Sequence, residues 1–194
     1  MSYIIYWLVK VFGGIIYSIL YFPKTKNKKN IPSKGGVILV GNHTSKLNAA
    51  SVVHGCNRPV HILSKRELFD SKIGWFFKCM GCIRVDRTIH DDNAKSEAID
   101  CLNKGKIICV FPEGTVNKTN DIIMPFKYGA VSFAKKTGCP IVPFAITGQY
   151  KLFKNKVKIE YGKPYYVKGK IEKENEILMN KVIELIKGGN NVNK

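Results

Sequence analysis

Apolar residues fall along this chain in two different patterns. From Tyr3 to Phe22 they run almost without a break, interrupted only by Lys10, Gly13-Gly14 and Ser18. From Ile31 onward they come in short runs that alternate with longer amphipathic stretches. The first pattern is close to the length a helix needs to span a bilayer. Its aromatics crowd the two ends (Tyr3, Tyr6 and Trp7; Tyr17, Tyr21 and Phe22), as interfacial anchors do. Two geometries are open: a single-pass helix, or a bent helical pair around Gly13-Gly14 lying in the interface. The segment has no basic leader and no small-residue cleavage site, so a cleaved signal peptide is not expected. The cationic run that follows, Pro23 to Asn30, suits the anionic cytoplasmic leaflet. The expected location is therefore the cytoplasmic face of the cell membrane.

The second pattern predicts alternating strands and helices. Val37 to Val40 is a strand that ends abruptly in Gly41-Asn42-His43, with a helix starting near Asn48. Pro59 to Leu63 and Gly81 to Arg87 read as strands, with an aromatic patch at Ile73 to Phe77 between them. His90 to Lys104 reads as an amphipathic helix closed by Gly105. Lys106 to Phe111 is a buried strand, and Lys127 to Lys136 a helix closed by Gly138. Strands follow at Ile141 to Ile146, Val157 to Tyr161 and Tyr165 to Val167, then a helix from Glu172 to Lys187. Such alternation predicts an α/β fold: a single domain with a mixed, largely parallel sheet flanked by helices. The expected organisation is an anchor and basic linker over 1–30, the domain over 31–187, and a flexible tail over 188–194.

Composition narrows the partners. Among 194 residues, 32 Lys+Arg face 14 Asp+Glu, a net charge of +18. That excess favours nucleic acid, an anionic membrane surface, or phosphate- and CoA-like substrates. The chain carries no recognition helix, finger or basic-aromatic strand motif, so nucleic acid is not expected as a partner. The six cysteines are scattered, several within apolar runs, which fits reduced thiols rather than a disulfide framework. Cys79 and Cys82 have C-x-x-C spacing but no second pair or His pair to complete a zinc site. No metal is expected.

Three strands end in polar turns: Asn42-His43, Asp86-Arg87 and Pro112-Glu113-Gly114-Thr115. In one parallel sheet these ends share a rim, which would hold a base, a cation and a carboxylate beside a glycine. The combination suits an anionic substrate whose hydroxyl must lose its proton.

These motifs, in this order, resemble the 1-acyl-sn-glycerol-3-phosphate acyltransferases and their wider glycerolipid acyltransferase relatives, from Ile31 to Val167. The family's N-H-x-x-x-x-D motif falls on Asn42 to Asn48, and its arginine motif on Gly81 to Arg87. F-P-E-G-T is Phe111 to Thr115 unchanged, and the apolar V-P motif is Ile141 to Phe144. The resemblance implies transfer of a fatty acyl group from a thioester, acyl-CoA or acyl carrier protein, to lysophosphatidic acid, with no cofactor. By it, His43 would be the general base, and Arg87, Glu113, Gly114 and Thr115 would bind the glycerol phosphate end of the acceptor. Glu113, itself anionic, would do so by holding an arginine or a glycerol hydroxyl. Lys65 and Arg84 are further candidates for phosphate or CoA contacts. Another lyso-lipid, or a catalytically weak lipid-binding role, are the alternatives.

One position departs from the pattern: Asn48 stands where the family has aspartate. An aspartate would fix the histidine tautomer and stabilise the imidazolium, whereas asparagine is uncharged and can turn its amide the wrong way. In the serine protease triad the same change costs about 10⁴ in turnover through the wrong tautomer. The readings left open are an inactivated chain, an altered activity, or support of His43 by another carboxylate such as Asp86.

Overall fold

The computed structural model describes residues 1–89, 91–154 and 157–190. In chain order the elements are α1 (Tyr3–Leu8), a π-helical turn (Val9–Gly13), α2 (Gly14–Tyr21), β1 (Lys24–Lys26), β2 (Val37–Gly41), α3 (Asn48–Gly55) and β3 (Val60–Lys65). Then come α4 (Arg66–Phe69), α5 (Gly74–Cys79), β4 (Ile83–Val85), α6 (Asp92–Asn103) and β5 (Ile107–Val110). The chain finishes with α7 (Gly129–Thr137), β6 (Ile141–Thr147), β7 (Lys158–Tyr161) and α8 (Ile171–Asn190).

Among the described residues seven strands form one sheet in the order β1-β7-β6-β2-β5-β3-β4. From β6 to β4 every neighbouring pair is parallel; β7 runs antiparallel to β6, and β1 pairs parallel with β7. Strand β2 sits in the middle and is buried along its whole length. Its alternate residues feed two cores: Ile38 and Val40 pack towards α6, α7 and α8, and Val37 and Leu39 towards α3. Burial on both faces explains why β2, β5 and β6 read as unbroken apolar runs rather than alternating ones. Helix α8 covers one face with Leu178, Val182 and Ile186, one stripe at helical spacing.

The apolar N-terminal segment is helical without interruption over 19 residues, Tyr3–Tyr21. The π turn ends at Gly13, so the two glycines are accommodated inside the helix. Tyr6 and Tyr17 face the domain and are buried, and the Tyr6 hydroxyl accepts from the Val60 N–H at 3.0 Å. Lys10, the charge within the segment, also turns inward; its ammonium donates to the Cys56 carbonyl and lies 4.7 Å over the Trp7 ring. On the outer side Ile4, Val11, Phe12, Ile15, Ile16 and Ile19 are exposed, as is Trp75 on α5.

Several boundaries differ from the sequence expectation for physical reasons. Lys24–Lys26 is an edge strand rather than a linker; the ladder uses backbone groups, and the two lysines point outward from it. The expected strand at Tyr165 to Val167 is reduced to a single bridge, Tyr165 to Ile141. Helix α8 runs to Asn190, through Gly188-Gly189, beyond the Lys187 end expected for it. His90 and the last four residues of the tail lie outside the described residues.

Candidate active site

Strands β2, β5, β3 and β4 run in the same direction, so their carboxyl ends share one rim. The polar turns singled out in the sequence therefore converge, as an open parallel sheet requires. The turn after β2 is built by two neighbours of His43. A Cβ on Gly41 would lie 2.3 Å from the Phe144 ring, so that position takes only glycine. Asn42 is buried, donates from Nδ2 to the Ile146 carbonyl at 2.9 Å and accepts from the Ile146 N–H at 2.8 Å. Its side chain thus continues the β2–β6 ladder and frees the backbone to turn at His43.

The His43 ring stacks on Phe111, with centroids 4.4 Å apart, and its Nδ1 lies 3.1 Å from Asn48 Oδ1. That same oxygen accepts from the N–H groups of Thr44 and Ser45, both at 2.7 Å. Asn48 Nδ2 donates to the Tyr150 hydroxyl at 2.9 Å. Backbone N–H groups can only donate, so the amide of Asn48 must present its oxygen to them and to the ring. His43 therefore carries its proton on Nδ1 and keeps the Nε2 lone pair. Burial, with the Arg87 charge, lowers the His43 pKa against the raising effect of the Asn48 hydrogen bond. That shift favours the neutral ring.

Glu113 is buried and holds backbone, not an arginine. Its Oε1 accepts from the His43 N–H at 2.7 Å and its Oε2 from the Met124 N–H at 2.8 Å. Burial raises its pKa although both hydrogen bonds pull the other way. The carboxylate braces the His43 turn against the segment that follows the Phe111–Thr115 turn.

Arg87 donates to the Gly114 carbonyl, where the backbone turns through φ +74°. A Cβ on that glycine would come within 3.3 Å of Lys127 Nζ. Arg87, Lys127 and Lys95 line a cavity of about 280 Å³ whose floor includes Val85, Val110, Phe111 and Gly114. Asp91 anchors the loop before it, accepting from the Asp86 and Ala94 N–H groups and so capping α6. A second cavity of about 290 Å³ is almost wholly apolar, between α2, α3 and α5, and is lined by Gly13, Gly14, Leu47, Ala50, Val53 and Phe77.

Not every expected residue is brought in. Arg84 projects from the face of β4 opposite the Arg87 cavity and lies 3.7 Å from Asp70. Lys65 and Thr115 are exposed and line neither cavity. Asp86 is not a partner of His43: it accepts from Thr88 and from Arg66, at 3.0 Å, which holds its carboxyl down at about 2. Cys79 and Cys82 are free thiols. Two residues of the site are not among the sequence candidates: Lys127, at the start of the helix expected over Lys127 to Lys136, and Tyr150, which has no local signal, being 102 positions from its partner.

The acyltransferase family profile matches residues 23–147, which include every turn of this rim. The chain belongs to the acyltransferase family. The 1-acyl-sn-glycerol-3-phosphate acyltransferase of Bacillus subtilis (strain 168) is 32% identical over 158 residues, covering 78% of this chain and 78% of that protein. The protein of the same name from Borreliella burgdorferi is 31% identical over 142 residues, covering 72% of this chain and 56% of the relative. In three dimensions the crystal structure of the 1-acyl-sn-glycerophosphate acyltransferase PlsC from Thermotoga maritima superposes with a TM-score of 0.76 at 23% identity. That match covers 92% of this chain and 77% of the other, and it shows the fold.

Proposed function

We propose that the protein acylates the sn-2 hydroxyl of 1-acyl-glycerol-3-phosphate, forming phosphatidic acid, with His43 as general base. The observation that carries this reading is the His43–Asn48 pair. An oxygen fixed by two backbone donors leaves Nε2 able to take a proton. In the proposed step Nε2 removes the hydroxyl proton as the oxygen attacks the thioester carbonyl. The carbon–sulfur bond then breaks, and the departing thiolate recovers the proton from the imidazolium. No covalent acyl-enzyme and no cofactor enter; acyl-CoA or acyl carrier protein is a substrate.

Arg87 and Lys127, both close to Gly114 and lining the same cavity, supply the charge for a phosphate dianion. The apolar cavity beside the His43 loop supplies a surface for an acyl chain. The exposed apolar side of the N-terminal helix, continued by Trp75, fits a protein that lies on a bilayer. Tyr6 and Tyr17 pack the helix against the domain at both ends, which favours lying in the interface over crossing it. The lysines at 24, 26, 28 and 29 favour the anionic cytoplasmic face.

The test is acyl transfer from acyl-CoA, and separately from acyl carrier protein, to lysophosphatidic acid in anionic vesicles. Phosphatidic acid formed with either donor supports the reading. Formation with neither, from folded vesicle-bound protein, overturns it.

A further inference from the structure

Three hydroxyl groups from distant parts of the chain meet behind Asn48. Tyr150, in the turn after β6, receives the Asn48 Nδ2–H at 2.9 Å and lies 2.6 Å from Ser51 Oγ on α3. Ser51 Oγ in turn lies 2.6 Å from the hydroxyl of Tyr17 on the apolar helix. Asn48 and Ser51 are fully buried, and Tyr17 nearly so. The other acceptor near Nδ2 is Thr44 Oγ1, at a long 3.4 Å. Tyr150 accepts from the amide, whereas between Tyr150 and Ser51, and between Ser51 and Tyr17, either hydroxyl can donate.

We infer that Tyr150 is a positioning residue for acyl transfer, holding the amino half of the Asn48 amide so that its oxygen stays on His43 Nδ1. This rests on the proposed role of His43. An aspartate at this position has no wrong face, since either oxygen accepts. An asparagine does, and a buried amino group without an acceptor would turn to find one. The Tyr150 hydroxyl meets the need that the uncharged residue creates. The link to Tyr17 gives the apolar helix a hydrogen-bonded route to the base.

The experiment compares Tyr150→Phe in the parent and in an Asn48→Asp background. Each is read by kcat and KM for acyl transfer and by ¹⁵N-histidine NMR of the His43 ring in micelles. In the parent, Tyr150→Phe lowers kcat about tenfold, the scale of one hydrogen bond lost from a buried group. KM for the acceptor stays within about twofold, and the Nδ1–H signal weakens as the other tautomer appears. In the Asn48→Asp background, removing the hydroxyl changes kcat by less than about twofold and leaves the Nδ1–H signal in place. Equal losses in both backgrounds mean a purely structural role and overturn the inference. An unchanged Nδ1–H signal in the parent also overturns it. If the parent transfers no acyl group, the proposed function fails, and the NMR comparison alone decides the role of Tyr150.

Discussion

His43 Nδ1 lies 3.1 Å from Asn48 Oδ1, and that oxygen is fixed from behind by the N–H groups of Thr44 and Ser45 at 2.7 Å each. The hazard of asparagine beside this histidine is a reversed amide, opposed by the two N–H groups at its oxygen and by Tyr150 at its amino group. What asparagine still lacks is charge. Asn48→Asp should therefore raise kcat by about tenfold, the difference between a neutral and a charge-assisted hydrogen bond to the forming imidazolium. A fall in kcat, with the fold intact by circular dichroism, would show that the site is tuned to the neutral residue.

The pH dependence follows from the same contacts. Burial and Arg87 lower the His43 pKa, so the unprotonated base persists below the ordinary value of 6.5. The acidic limb of kcat/KM should fall below pH 6.5, with activity present above it and lost as the ring protonates. Asn48→Asp adds a negative charge that favours the imidazolium, so the limb should move to higher pH. A limb that ignores residue 48 would detach the titration from His43.

Glu113 gives a different signature. Glutamine has one acceptor oxygen and cannot serve the N–H groups of both His43 and Met124. Glu113→Gln should cost about 1–3 kcal/mol of stability, one buried donor left unpaired, and lower kcat with it. Thermal unfolding beside kinetics checks this. A stable variant with raised acceptor KM would instead put Glu113 in contact with substrate.

Arg87 and Lys127 should act on binding. Arg87→Ala and Lys127→Ala are each expected to raise KM for lysophosphatidic acid about tenfold, as befits a lost charge-assisted contact to phosphate. A neutral lyso-lipid lacking the phosphate should not discriminate parent from variant. Unchanged KM for both variants would remove this cavity from acceptor binding.

Much of this molecule was legible in its residues. The strand-end turns at His43, Arg87 and Glu113 were found because glycine, proline and polar residues interrupt apolar runs there, and parallel pairing brings them together. What the residues did not show is where a side chain aims. Glu113 looked like an arginine partner but faces two backbone N–H groups, and Arg84 leaves on the other side of β4 from Val85. Lys24–Lys26 hid a strand because edge pairing needs no apolar side chains. Tyr150 was invisible because its tie to Asn48 spans 102 positions.

In the proposed reaction His43 takes the acceptor proton. The most direct measurement is phosphatidic acid formation by His43→Ala in anionic vesicles at saturating lysophosphatidic acid and acyl donor. The expected result is a loss of at least about 10²-fold in kcat, the scale of a lost general base, with folding and vesicle binding unchanged. Turnover equal to the parent would contradict it.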